Sequence, residues 1–123
     1  MIDHTGLTVS NFARAREFYT AALQPLGYGV IMEFGEMIGL GELATRKPDF
    51  WVAAGEPVKP SLHFAFRAAS REIVDKFHAA ALAAGGRDNG RPGLRPHYHE
   101  NYYGAFVLDF DGNNIEAVCH TPK

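Results

Sequence analysis

Three side chains in this sequence have the types needed to bind a metal ion. His4 and His63 each open a short run of alternating residues, and Glu116 lies in an alternating run near the C-terminus. Two neutral imidazoles and one carboxylate form a borderline ligand set for Zn, Fe, Mn, Ni or Co, and they leave coordination positions open for water or substrate. We therefore expect a divalent transition metal as cofactor. The alternative is that both histidines are ordinary strand residues with local hydrogen-bond partners.

An internal duplication places the two histidines at equivalent positions. Residues 4–23 align without a gap to residues 63–82, at an offset of 63 minus 4, or 59. Under this offset His4 falls on His63, Phe18 falls on Phe77, and both segments end in Ala-Ala-Leu. Each copy reads as a strand followed by an amphipathic helix. Both histidines then share the more polar face of equivalent strands, and each strand's apolar face should meet a helix.

The remaining elements follow from periodicity and turn signals. Ser10 and Ser70 are the expected helix N-caps, because their hydroxyls can accept from free first-turn N–H groups. Strands are predicted over residues 28–34, 37–43, 50–54, 102–109 and 114–120, with a hairpin turn at 111–113 and a loop over 87–101. Residues 55–60 look like the joint between two modules, 1–55 and 61–120. The predicted fold class is α+β, in which two βαβββ modules form curved mixed sheets around a cleft with helices outside.

The bulk composition restricts partners and location. The chain has 123 residues, 46% of them hydrophobic, which suits a single domain over 1–123 with its own core. The net charge of −2 and the lack of a basic stripe argue against a nucleic-acid partner. One cysteine permits no internal disulfide, and no apolar run approaches the ~18 residues of a membrane span. With no signal-peptide pattern at the N-terminus, we expect a cytoplasmic protein that does not contact membranes.

Three segments resemble one known family. Residues 3–9 (DHTGLTV), 18–19 (FY) and 103–116 (YGAFVLDFDGNNIE) are similar to the glyoxalase/bleomycin resistance protein/extradiol dioxygenase superfamily, also called vicinal oxygen chelate proteins. The resemblance implies that His4, His63 and Glu116 are the metal ligands. It also implies a homodimer, because the family pairs its concave sheets. The last segment departs from the common family pattern at Phe110, where a proline is usual.

Two further departures bear on the reaction. Glyoxalase I uses a fourth ligand, a glutamate on the last strand of the first module, but aligning residues 50–52 with 115–117 places Trp51 there. Extradiol dioxygenases use a tyrosine on the strand before the last hairpin, where this chain offers Phe106, and they also use an extra histidine base. These departures argue against glyoxalase I activity, and they favour ring cleavage over no other reaction of the family.

Other residues are assigned by type and position. The base is unknown, and three side chains are candidates for it: His97, His99 and Tyr103. A second set, aromatic or cationic, could line a substrate cleft: Trp51, Arg67, Tyr98, Tyr103 and Phe106.

Two functions fit the sequence. The first is a metal-dependent enzyme, a lyase, isomerase or oxygenase, acting on a small substrate with vicinal oxygens. The second is a metal-free protein that binds a small molecule or antibiotic, like the bleomycin-resistance members. The sequence leaves open whether the site lies within one chain or across a dimer.

Overall fold

Each half of the chain forms a strand, a helix and three further strands in the computed structural model, which describes residues 1–122. Lys123, the last residue of the predicted domain, lies outside the described residues. The first half contains β1 (Thr5–Val9), α1 (Phe12–Leu23), β2 (Tyr28–Glu33), β3 (Met37–Glu42) and β4 (Lys47–Ala54), with a 3-10 turn at Gln24–Leu26. The second contains β5 (His63–Arg67), α2 (Arg71–Ala83), β6 (Arg87–Leu94), β7 (Tyr103–Leu108) and β8 (Asn114–Cys119). The predicted α+β class with two βαβββ modules is confirmed.

The two sheets have the same topology. Their strand orders are β1-β4-β3-β2 and β5-β8-β7-β6. In each sheet the first strand of the module runs parallel to the last strand, and the other pairs are antiparallel. The register is conserved under the duplication as well, since Gly6 pairs with Trp51 and Ala65, 59 positions after Gly6, pairs with Glu116. Any two equivalent positions of the modules can therefore be compared directly.

Helix capping differs from the sequence prediction in the first module. Ser70 caps α2 as predicted, accepting a hydrogen bond from the Ile73 N–H at 3.2 Å. The cap of α1 is Asn11, whose side chain accepts from the Arg14 N–H at 3.1 Å, so the prediction of Ser10 was wrong by one residue. The Ser10 hydroxyl instead donates to Asp111 Oδ1 at 2.5 Å, a partner 101 residues away that no local pattern reveals.

A single apolar core joins the helices to one face of each sheet. At its centre Phe50 of the first sheet meets the rings of Phe64 and Phe66 of the second, with centroids 5.3 and 5.2 Å away. Tyr19 of α1 is also fully buried, and its hydroxyl donates to Asp109 Oδ2 at 2.5 Å. Both burial and the neighbouring Asp109 carboxylate raise the pKa of Tyr19 well above its ordinary value. The modules therefore share their core and a buried hydrogen bond.

Strand β6 was not predicted, since its residues were interpreted as part of a loop. It is an edge strand that pairs with β7 through two register shifts, one between Asp88 and Gly90 and one between Gly90 and Gly93. Its sequence, RDNGRPGL, lacks apolar alternation because it packs few side chains into the core. Pro92 is tolerated there because an edge strand has one side on which no hydrogen-bond donor is required.

Candidate functional site

Each sheet turns one face toward the helices and leaves the other open. Side chains alternate along a strand, so Leu7 and Val52 point toward α1 while Gly6 and Trp51 point to the open face. In the second sheet His63 and Glu116 are on the open face. Since Glu116 pairs with Ala65, and Ala65 is two residues after His63, this register brings His63 and Glu116 to one face.

Glu116 is a buried carboxylate with two close partners. Its side chain is only 2% exposed, and its Oε1 lies 3.1 Å from Nε2 of His63, whose side chain is 49% exposed. The Tyr102 hydroxyl donates a short hydrogen bond to Oε2. Taking an ionised carboxylate out of water costs several kcal/mol unless charge and hydrogen bonds compensate it. A proton or a metal ion on the imidazole side of the carboxylate would supply this compensation.

The tautomer of His63 makes this requirement specific. Its Nδ1 lies 2.9 Å from the carbonyl oxygen of Asn114, which can only accept, so Nδ1 carries the proton. In the neutral ring Nε2 then has a lone pair, and that lone pair faces a carboxylate oxygen. Two acceptors at 3.1 Å repel each other unless a proton or a metal ion lies between them. Metal-binding histidines commonly donate their second N–H to a backbone carbonyl in this way.

Tyr102 completes the pair from the segment before β7. A Cβ added to Gly104 would lie 3.1 Å from Cε1 of Tyr102 and 3.3 Å from Oε2 of Glu116, so Gly104 leaves the room in which phenol and carboxylate meet. Partial burial, followed by the hydrogen bond to Glu116, raises the pKa of Tyr102. The phenol therefore stays protonated at ordinary pH and donates a hydrogen bond to Glu116.

His4 has a similar arrangement in the other sheet. Its Nδ1 lies 2.8 Å from Oδ1 of Asp3, so the ring donates to a carboxylate and leaves Nε2 free. Lys47 Nζ lies 3.1 Å from the same oxygen. The hydrogen bond from His4 and then that from Lys47 hold the pKa of Asp3 below its ordinary value. Both predicted histidine ligands thus have Nδ1 bound to an oxygen and Nε2 available.

The chain on its own does not bring the three predicted ligands together. Within residues 1–122 no three His, Cys, Asp or Glu side chains converge as a metal site requires. His63 and Glu116 are in contact on the second sheet, whereas His4 lines a cavity of the first sheet. One chain therefore presents two of the predicted ligands on the open face of the second sheet and the third, His4, on that of the first.

The cavity beside His4 is broad and mostly apolar. Its volume is about 710 Å³, and its apolar wall includes Phe34, Met37, Pro48 and Trp51. The Trp51 and Phe34 rings are near parallel, with an interplanar angle of 17° and centroids 6.4 Å apart. The indole lies over Gly39, where an added Cβ would be 2.8 Å from the ring. Trp51, predicted to line a substrate cleft, does line this cavity.

The other predicted cleft residues lie mostly in the second module. Phe106 pairs with Glu116 across β7 and β8, and its ring stacks on His63 at 6.3 Å between centroids. Arg67 ends β5 on the same face, two residues after Ala65. Tyr98 is 59% exposed, and its ring contacts Tyr102 at 5.1 Å.

The three residues considered as a base are separated. Tyr103 points to the helix side of the sheet, where its hydroxyl donates to Asp75 Oδ1 at 2.7 Å, so it does not reach the Glu116 face. His97 and His99 are exposed in the turn that follows β6. The His97 ring is tilted by 53° against that of Tyr98, whereas the His99 ring is perpendicular to that of His120.

Two residues of the site escaped the sequence reasoning. Tyr102 has no individual role in the sequence analysis, although alternation from Phe106 through Gly104 assigns it to the Glu116 face. Asp3 was noted only within the family-like segment, yet an acidic residue beside a proposed histidine ligand is a recognisable orienting partner.

Comparison with known proteins assigns the family. The model of the Glyoxalase/Bleomycin resistance protein/Dioxygenase superfamily matches residues 1–117, and the chain therefore belongs to that superfamily. No curated protein matched the chain. Within residues 1–122, none of the helices has the length and apolar character to cross a membrane.

Solved structures agree with this assignment. The chain is similar to a glyoxalase/bleomycin resistance protein from Albidiferax ferrireducens T118, with 28% identity, 95% of this chain and 97% of that chain covered, and a TM-score of 0.81. A family enzyme from Burkholderia phytofirmans PsJN shares the fold at 21% identity, with 98% of both chains covered and a TM-score of 0.72. So does a mutant of the fosfomycin resistance protein FosX from Listeria monocytogenes, complexed with Mn(II) and 1S,2S-dihydroxypropylphosphonic acid, at 17% identity, 98% and 90% coverage and a TM-score of 0.72.

Proposed function

We propose that this protein is a metal-dependent enzyme of the glyoxalase/dioxygenase type that acts on a small substrate with two vicinal oxygens. The observation that carries the proposal is the 3.1 Å contact between Nε2 of His63 and the buried carboxylate of Glu116. A divalent cation held by these two side chains would compensate the buried carboxylate. The Mn(II) complex of the Listeria relative is consistent with the proposal.

The third ligand, in this proposal, is His4 of a second copy of the chain. Two observations support it: His4 is on the open face of the first sheet, and no group of three ligands forms within residues 1–122 of one chain. A two-fold axis that places the first sheet of one copy over the second sheet of the other would create two identical sites. The homodimer would then be a condition for metal binding and not only an assembly.

The chain's own residues have distinct duties in this proposal. When bound, the metal would act as a Lewis acid that polarises the substrate oxygens and stabilises negative charge on them. Tyr102 holds Glu116 in place through its hydrogen bond to Oε2, and the Asn114 carbonyl holds the His63 ring. The wall formed by Trp51, Phe34 and Met37 would exclude water and receive the apolar part of the substrate.

Metal loading and subunit mixing test the proposal. We expect about one divalent metal per chain in wild-type protein, measured by elemental analysis after loading with Mn, Co, Ni, Fe or Zn. His4→Ala and His63→Ala should each abolish stoichiometric binding. If the two variants are unfolded and refolded together, about one site in four should return, because mixed dimers regain one intact site. No recovery would place all ligands in one chain, and unchanged stoichiometry in His63→Ala would contradict the ligand set.

A metal-free binding protein is the second candidate function. The observation that favours it is the cavity of about 710 Å³ with its near-parallel Trp51 and Phe34 rings, which suits a flat apolar ligand without any metal. Tryptophan fluorescence should then report ligand binding equally well in wild type and in Glu116→Gln. Absence of bound metal after loading, together with such binding, would favour this function over the enzyme.

A further inference from the structure

We infer that Arg67, His99 and His120 form a binding site for the phosphate or phosphonate group of a small ligand. The three side chains come from the end of β5, the turn after β6 and the residue after β8. They line one cavity of about 530 Å³ together with Ala68, Ala69 and Thr121.

Arg67 has no ion-pair partner among the described residues. Within residues 1–122, no carboxylate lies within 4.0 Å of its guanidinium. Its five N–H donors are arranged as a planar fork that fits the oxygens of a phosphoryl group in pairs. An arginine at the mouth of a cavity without an acidic partner can therefore offer its donors to a ligand.

The two histidines add donors at fixed angles. The His99 Nδ1 accepts from the Asn101 N–H at 3.5 Å, so the proton of the neutral ring is on Nε2 and can be donated. The His99 and His120 rings are perpendicular, with centroids 5.6 Å apart. Donors that approach from several directions match the three terminal oxygens of a tetrahedral phosphoryl group better than the two coplanar oxygens of a carboxylate.

The cluster of Arg67, His99 and His120 adjoins the proposed metal site. The Tyr102 ring lies 5.3 Å from the His120 ring, and the Tyr102 hydroxyl binds Glu116. Arg67 is two residues after Ala65, the strand partner of Glu116, which corresponds to about 7 Å along β5. If the proposed function holds, one small molecule could reach both, with vicinal oxygens near Glu116 and a phosphoryl group on Arg67. Only this last step rests on the proposed function.

One acidic residue competes with the ligand. Glu42 lines the neighbouring cavity on the other side of Arg67, and the two side chains do not form an ion pair. A guanidinium that turned toward Glu42 would be less available to an anion. Removal of this carboxylate by Glu42→Gln is therefore expected to strengthen phosphate binding.

Titration with simple anions tests the site independently of the metal. Inorganic phosphate and methylphosphonate are added to the full-length protein, as purified and again after dialysis against a chelator, and amide and imidazole NMR signals are followed. We expect saturable shifts at residues 67, 99 and 120 in both samples. Arg67→Met should weaken binding about tenfold or more, and His99→Gln by several-fold. Arg87→Met, which removes an exposed arginine from the opposite edge of the same sheet, should have no effect.

The outcomes are separable from those of the metal experiment. Phosphate binding that persists after chelation supports the site even if no metal ever binds. Shifts that vanish with the metal, equal losses in Arg67→Met and Arg87→Met, or weaker binding in Glu42→Gln would overturn it. Acetate that binds as tightly as phosphate would overturn the assignment to a phosphoryl group. His99→Gln lies in an exposed turn and keeps the test valid if Arg67→Met fails to fold.

Discussion

The two modules have the same backbone plan but opposite chemistry at one equivalent position. Trp51 faces Gly6 in the first sheet as Glu116 faces Ala65 in the second. Around Trp51 the open face is an apolar cavity of about 710 Å³, whereas around Glu116 it holds an imidazole and a phenol. The two modules thus share one backbone scaffold. The side chain at this position, Trp51 or Glu116, makes the open face either an apolar cavity or a potential metal site.

Removal of the Glu116 carboxylate should have the largest effect on metal affinity. Glu116→Gln keeps the shape of the side chain but removes the charge that a cation needs. We expect metal affinity to fall by at least about 100-fold, since changes to mere orienting partners already cost 10–100-fold. Competition with a fluorescent chelator measures it. Glu17→Gln, on the exposed side of α1, is the matched control, and comparable losses in the two variants would contradict a special role for Glu116.

Replacement of Trp51 by a metal-binding side chain should have the next largest effect on metal affinity. The wild-type protein is expected to show little or no isomerisation of the glutathione–methylglyoxal hemithioacetal, because Trp51 replaces the fourth carboxylate. Trp51→Glu should tighten metal binding about tenfold if the two open faces meet across a dimer. Robust hemithioacetal turnover by wild type, abolished in His4→Ala, would show that another residue such as Glu42 completes the site.

Loss of the phenol beside Glu116 should have an effect of similar size. Tyr102→Phe leaves one carboxylate oxygen without its donor, and we expect metal affinity to fall about tenfold. Tyr103→Phe is the matched control, because that hydroxyl binds Asp75 on the helix side. A greater loss of affinity in Tyr103→Phe than in Tyr102→Phe would reverse the assignment of the two faces.

A glycine under the wall should affect stability more than binding. Gly39→Ala places a methyl group 2.8 Å from the Trp51 indole and 3.0 Å from Pro48. We expect the free energy of unfolding to fall by about 1–3 kcal/mol, since neither ring can give way easily. Urea denaturation measures it. Unchanged metal affinity in the same variant would separate the wall of the first module from the ligand pair of the second.

The repeated pattern made much of the fold predictable. The strand-helix pairs at residues 4–23 and 63–82 have strong periodicities. The apolar stripe of α1 is buried, and that of α2 is buried except for Ile73, which is half-buried, and Leu82, which is 36% exposed. Strand β6 was missed because an edge strand with Gly90, Pro92 and Gly93 has no apolar face to signal it. The N-cap of α1 was displaced because Ser10 binds Asp111, a long-range contact.

The site was predictable only in part. Alternation puts His63 on the more polar face of its strand and turns Glu116 away from Ile115 and Ala117, and neither step needs knowledge of how the modules pack. Tyr102 was missed because the residues of its strand were not assigned individually to one face of the sheet or the other. The position of His4 relative to His63 and Glu116 depends on how the sheets pack, and strand periodicity holds no information about sheet packing.

The buried Tyr19–Asp109 hydrogen bond has a consequence for how the molecule comes apart. Asp109 also accepts from the backbone N–H groups of Asp111 and Asn113, so one carboxylate ties a helix of the first half to the last hairpin. Separation of the two halves would leave Asp109 without its hydrogen bond from Tyr19 and would expose Phe50. Slowly exchanging amide protons in both halves should therefore share one opening free energy. Fragments cut within residues 55–60 should regain structure only when they are mixed.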